Sequence, residues 1–366
     1  MTGGCGRASA NKRLLSLNSN SGNISSTGCL QAIRTYYMNS HNFKNARGDA
    51  DMERPFTIAH LSDLHISLDH SRHNIKKTRS LIEYCLRQGA DHIVITGDIT
   101  ANGEKKEFEA TRKIFRNYGL LDCRKLSLLC GNHDVYGGVH RAEEILSFPK
   151  RCKTTDYDRK MREFREYFHE VFDSSEQNGS GISFPFVKVF GSVAIIGANS
   201  IARYSRVKNP IGSNGEVDDK QFERMRRTLM AEHLKEKRKL VLIHHHFNKI
   251  LSNGSERTNS VWDAVERQTM KLRGKKRLLQ LFAASSVDLV LHGHVHRNHE
   301  YMRKGIRFLN AGGSILGDNS AFNVAFIRVT PAGVQTMLRK LPQPAATQPT
   351  EPLLNSANPL VVSEAA

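Results

Sequence analysis

Asp63 and His65 stand two residues apart in Asp63-Leu64-His65, so an extended backbone turns a carboxylate and an imidazole to the same side, where they can share one metal ion. Gly97-Asp98 adds a second carboxylate, with two oxygens able to bridge two cations, behind a glycine that permits a tight turn. Gly131-Asn132-His133-Asp134 offers a neutral amide oxygen and an imidazole, His133, that can stand over a bound phosphate. The same tetrad also suits a turn with a helix cap. In His244-His245-His246 three imidazoles follow one another, each needing a hydrogen-bond partner if buried. Gly293-His294-Val295-His296 again sets two imidazoles on one face, beside a glycine that makes room.

Two carboxylates, one amide and at least four imidazoles suit Mn, Fe, Zn or Co better than calcium or a lone magnesium. Two such divalent ions carry four positive charges, against two negative ones on Asp63 and Asp98. A phosphate ester would neutralise the remainder.

The elements that must position these groups are short apolar runs. Phe56–Ser62, His92–Thr96, Lys125–Cys130, Val193–Asn199, Leu240–Ile243 and Val287–Leu291 read as buried strands, and Ile306–Asn310 and Asn323–Val329 as later ones. Helical patterns fill Asn74–Arg87, Lys105–Tyr118, Tyr157–Val171 and Asp218–Leu234. This alternation predicts an α/β fold, and the strand-dense later part predicts a second sheet packed on the first. Almost every ligand-rich block begins where a strand ends, the place where open α/β sheets build their sites. His292 still belongs to its strand and is assigned to structure. Asn199-Ser200, also ending a strand, reads as a turn.

The chain has 366 residues, a formal net charge of +18 and 39% hydrophobic residues, the composition of a globular protein with a surface attractive to anions. No apolar run approaches the ~20 residues of a membrane-spanning helix, and no secretory signal is evident. The six cysteines form neither a C-x-x-C pair nor a disulfide framework and read as reduced thiols, with a cytoplasmic location as the expectation. Residues 1–53 read as a basic leader, with no Asp or Glu before Asp49. An organelle transit peptide, a disordered leader and a start at Met52 all fit it. Half of the ten prolines lie after Leu341, so 341–366 reads as a Pro/Ala-rich tail and 54–340 as the folded domain.

The ordered set D-x-H, G-D, G-N-H-D, strand-end His and G-H-x-H resembles the signature of the calcineurin-like metallophosphoesterase superfamily, over about residues 56 to 312. The resemblance implies a four-layer αββα sandwich with two mixed β-sheets and a site for two metal ions. It implies Asp63, His65, Asp98 and His296 around the first ion and Asp98, Asn132, His244 and His294 around the second, with His245 as the alternative to His244. His133 would bind the phosphate or protonate the leaving oxygen, and a metal-activated hydroxide would attack phosphorus.

Phosphoprotein phosphatases of this superfamily carry G-D-x-x-D-R-G and G-N-H-E. Here Asn102 stands where their Arg stands, and Asp134 follows His133. Lipid A pathway diphosphatases place Arg at the His133 position. The chain is most similar to the branch of class III cyclic-nucleotide and glycerophosphodiester phosphodiesterases, although Phe247 follows the histidines where Pro is common there. The resulting expectation is a phosphodiesterase acting on a small molecule or nucleotide. The alternatives are a nuclease, for which the basic stretches Arg224–Arg227 and Lys271–Arg277 speak, a phosphomonoesterase, and a non-catalytic scaffold of the same fold.

Overall fold

A computed structural model describes residues 54–172, 184–248, 270–296, 298–315 and 321–342. The expected leader, and the expected tail beyond residue 342, lie outside the described residues.

Three strands, β1 (Phe56–Leu61), β2 (His92–Thr96) and β3 (Leu126–Leu129), run parallel, connected through α1 (His73–Arg87) and α2 (Lys105–Asn117). All three are almost wholly buried, as strands covered on both faces must be. The β-hairpin of β12 (Ala321–Thr330) and β13 (Gly333–Pro342) completes this sheet, with β12 antiparallel to β1 in the register Phe56↔Val329. Its order is β13-β12-β1-β2-β3.

Between the sheets in sequence lie four short helices: α3 (Asn132–Tyr136), α4 (Glu144–Thr154), α5 (Tyr157–Tyr167) and α6 (His169–Phe172). The second sheet contains β4 (Phe186–Phe190), β5 (Val193–Ala198), β7 (Arg238–Ile243), β9 (Val287–His292), β10 (Asn298–Arg303) and β11 (Ile306–Ala311), in the order β10-β11-β9-β7-β5-β4. Its four central strands are parallel and its two outer ones antiparallel. A two-residue parallel pair, β6 (Gly215–Glu216) and β8 (Leu272–Arg273), lies apart.

Helices α7 (Asp219–Leu229) and α8 (Lys275–Ala284) cover one face of the second sheet. Met225, Leu229, Leu278 and Phe282 form one apolar cluster with Ile196, Val241, Ile243, Val290 and Phe308 of the strands. The alternate strand residues Ile195, Leu240, Leu242, Leu289 and Leu291 are equally buried and point the other way, toward the first sheet. There Phe56 of β1 stacks on Phe190 of β4 at 5.1 Å. Arg307 of β11 donates to the Val334 carbonyl at 2.7 Å and to Thr336 Oγ1 at 2.9 Å on β13. On the outer side of the first sheet, Tyr84 of α1 meets Phe326 of β12. Two mixed sheets, face to face and flanked by helices, thus form the expected sandwich.

Several expectations need correction. The late strand expected over Asn323–Val329 falls within β12 and returns to the first sheet, beside β1. The continuous helix expected over Tyr157–Val171 breaks at Phe168, whose ring is fully buried against Phe108, Phe115 and Phe164. Core packing there overrides helical periodicity. The helix expected over Asp218–Leu234 stops at Leu229, with a single 3₁₀ turn at Glu232–Leu234, while Asp218 caps its start by accepting from the Gln221 N–H at 2.8 Å.

At the β3–β4 edge, Lys188 reaches across to donate to the Leu126 carbonyl and is 5% exposed. Burial pulls its ammonium down to about 7, against weaker opposition from Cys123 and Asp122. Between about pH 7 and the ordinary lysine range the unfolded chain therefore binds more protons than the folded one, and stability rises with pH. Lys188→Met removes this term. Its melting temperature relative to the parent protein is expected to be highest at pH 7 and to fall as pH approaches 10, as read by thermal denaturation at both pH values.

Candidate metal centre

The five blocks all follow strands, three from the first sheet (β1, β2, β3) and two from the second (β7, β9), so the cluster forms where the two sheets meet. The segments after β1 and β2 continue the parallel pairing beyond the strands. Asp63 N–H donates to the Gly97 carbonyl at 3.0 Å, His65 N–H to that of Asp98 at 3.0 Å, and Ile66 N–H to that of Ile99 at 2.9 Å. Two bonds then cross between sheets. The His244 Nδ1–H donates to the Thr96 carbonyl at 2.7 Å, and the His294 N–H donates to the Asp63 carboxylate at 3.1 Å.

The backbone is strained here. Six non-glycine residues among those described have positive φ, and four of them are Asp63, His65, Asp98 and His294. Such conformations persist where the surroundings over-determine them, and they concentrate at functional sites. Gly131 and Gly293 make the close approach possible. A Cβ on Gly131 would lie 2.0 Å from Asp98 Oδ1, and one on Gly293 would lie 1.9 Å from Ser62 Oγ.

Three groups of ligand atoms result, each within 4.8 Å: Asp63 with His65 and His296; Asp98 with His244 and His294; and His65 with Asp98 and His133. His65 Nε2 and His296 Nε2 face each other at 3.2 Å, and His296 Nε2 lies 3.9 Å from Asp63 Oδ1. On the other side His244 Nε2 lies 3.4 Å from Asp98 Oδ2 and 3.2 Å from Asn132 Oδ1. His294 Nε2 is buried with no hydrogen-bond partner. His296 is half exposed at the rim. All eight residues singled out in the sequence therefore gather in one place.

His245 does not point its ring into this gap. Its Nδ1 meets Ser200 Oγ at 2.8 Å and its Nε2 donates to the Ser213 carbonyl at 3.2 Å, so both nitrogens are in use. His292 likewise accepts from the Tyr301 hydroxyl at 2.8 Å inside the fold.

Electrostatics separates the two carboxylates. Burial raises the Asp63 carboxyl above the usual range, against the pull of His296 and His244. Burial also acts to raise Asp98, but the His244 and His133 imidazoles outweigh it and hold that carboxyl well below the usual range. His244 shows the converse. Burial lowers it, yet Asp98 and Asp63 raise it to about 9. Burial drives His65 and His294 well below the ordinary histidine value, with neighbouring imidazoles adding to the effect.

Two buried carboxylates, four convergent imidazoles and an orphaned ring nitrogen are a costly arrangement without a cation among them. The donor set fits divalent ions: nitrogen and oxygen atoms lie on both sides of Asp98, and the His244 ring is anchored on its far side by the Thr96 carbonyl.

Sequence reasoning gave Asp134 no role, although it closes the third block. Its carboxylate accepts from Gly131 N–H at 2.8 Å, Thr100 N–H at 2.9 Å and Thr100 Oγ1 at 2.7 Å, which ties the second and third blocks together. Burial, then Asp98, raises this carboxyl to about 7. The last letter of the G-N-H-D block was the available signal.

The family model for calcineurin-like phosphoesterases matches residues 56–298. No curated protein matches the chain. Similar solved structures include a purple acid phosphatase from yellow lupin (Lupinus luteus) seeds, 12% identical, covering 78% of this chain and 51% of that one, with a TM-score of 0.51. A dimetal phosphatase from Danio rerio is 13% identical and covers 77% of this chain and 98% of that one, with a TM-score of 0.47. At 12% identity the likeness to the lupin enzyme is one of fold alone. With the family model spanning most of the domain, the chain belongs to the calcineurin-like phosphoesterases, metal-dependent hydrolases of phosphate esters.

Proposed function

We propose that this chain is a phosphodiesterase acting on a small molecule or nucleotide. Asp63, His65, Asp98 and His296 would hold one divalent cation and Asp98, Asn132, His244 and His294 the other, drawn from Mn, Fe, Zn or Co. The observation that carries the two-ion site is the place of Asp98, whose carboxylate belongs to ligand groups on both sides of it. When bound, such ions polarise phosphoryl oxygens and lower the pKa of water.

The protein's own groups orient and protonate. His244 presents Nε2 to the site because Nδ1–H is committed to the Thr96 carbonyl. His133 is held in the same way, its Nδ1–H donating to the Ala101 carbonyl at 3.1 Å, while its backbone N–H donates to Asp98 Oδ1 at 2.8 Å. Its Nε2 is thereby left to hydrogen-bond a phosphoryl oxygen or deliver a proton to the leaving oxygen. The position occupied by Arg in the phosphoprotein phosphatases is Asn102 here, so no guanidinium is supplied from that position for a dianionic monoester.

The basic stretches that motivate the nuclease alternative are partly neutralised by neighbouring carboxylates. Within the two basic stretches, Arg226 and Arg227 pair with Glu223, Arg277 pairs with Asp219, and Arg224 donates to the Phe184 carbonyl. Among the described residues no helix is long and apolar enough to cross a membrane. Hydrolysis of a bis-aryl phosphate diester beside the matching monoester, with added Mn²⁺, tests the reading. The diester is expected to be preferred, and preference for the monoester would overturn it.

A further inference from the structure

We propose that the stacked imidazoles of His70 and His140 form a nucleobase subsite at the mouth of the metal centre, so that the substrate carries a nucleoside next to the scissile phosphate. This rests on the phosphoesterase reading and narrows its substrate class.

The two residues are seventy positions apart in sequence, yet their rings lie 4.5 Å apart and nearly parallel, at 17°. Both side chains are exposed. Exposed imidazoles do not gather this way through burial, and here each is held by its own backbone turn. The His70 N–H donates to Ser67 Oγ at 3.1 Å, and the His140 N–H donates to Glu144 Oε2 at 2.9 Å. The His140 ring is fixed by donating Nε2–H to Asn102 Oδ1 at 2.9 Å, and the Asn102 N–H is itself held by Glu107 Oε2 at 2.8 Å.

Asn102 also sets the distance to the chemistry. His133 hangs on the Ala101 carbonyl and His140 on the next residue, and consecutive Cα atoms are about 3.8 Å apart. Their anchors on adjacent residues bring the ring pair close to the imidazole assigned to the phosphate. The two rings already lie flat against each other, which directs π-faces outward and suits a third planar ring stacked on them. Val139, 40% exposed, adds apolar surface at the same rim. Because the rings are held in place before binding, little ordering remains to offset the gain from stacking.

The test uses the full chain loaded with Mn²⁺ and two monoanionic diester mimics that cannot be hydrolysed: dimethylphosphinate, and the adenosine analogue in which a methylene and a methyl group replace the two ester oxygens of a 5′-phosphodiester. Calorimetric titration is expected to show the adenosine analogue binding at least about fivefold more tightly. His140→Ala is expected to remove most of that preference, and His140→Phe, which keeps a stacking face without ring nitrogens, to retain it. Equal affinity for the two ligands in the parent protein would overturn the subsite alone, as would a preference surviving in the His70→Ala/His140→Ala double variant. Binding of neither ligand would overturn it together with the phosphoesterase reading.

Discussion

Asp98→Asn is expected to leave a folded protein that has lost its metal-dependent activity. Asparagine keeps the shape that accepts the His133 N–H at 2.8 Å and removes the charge shared by the two ligand groups. It also removes the partner that raises His244 to about 9. The loss in kcat/KM should exceed about 10³-fold, more than follows from removing a single transition-state hydrogen-bond donor. Retained circular dichroism and melting behaviour would show that the loss is chemical. Full activity in this variant would sink the assignment of Asp98.

His133→Ala should separate binding from chemistry. Its Nδ1–H is committed to Ala101, so the variant loses a positioned Nε2 and should lose about 10²–10⁴ in rate, the range for general acid–base groups. If the ring protonates the leaving oxygen, the loss will be larger for an alkyl ester than for a p-nitrophenyl ester, whose leaving group needs no proton. Metal content should be unchanged. Since His133 also lies within ligand distance of His65 and Asp98, the opposite result has a clear meaning. A variant that loses metal would make His133 a ligand.

The ligand-bearing blocks were readable in the sequence because each follows a short apolar strand, and a buried strand has few other ways to end in Asp, Asn or His. What could not be read is mostly non-local. The pairing of Phe56 with Val329, which returns the last hairpin to the first sheet, joins residues from opposite ends of the domain. Edge strands β10 and β13 are largely polar or exposed, so they carry no apolar run to announce them. Helix α4 holds Pro149 in its interior, which interrupts the helical pattern of its sequence. The choice between His244 and His245 was open in the sequence, because adjacent residues of identical type differ only in where their rings point. In the fold, Ser200 and Ser213 engage both nitrogens of His245, while Thr96 turns His244 toward Asp98. The stacking of His70 on His140 had no sequence signal at all.

The most direct measurement is anomalous diffraction from crystals of the full chain grown with Mn²⁺. Two peaks are predicted. One should lie among Asp63, His65 and His296, the other among Asn132, His244 and His294, with the Asp98 carboxylate between them. A single peak, a peak coordinated by His245, or no peak among these residues would contradict the two-ion centre on which the account rests.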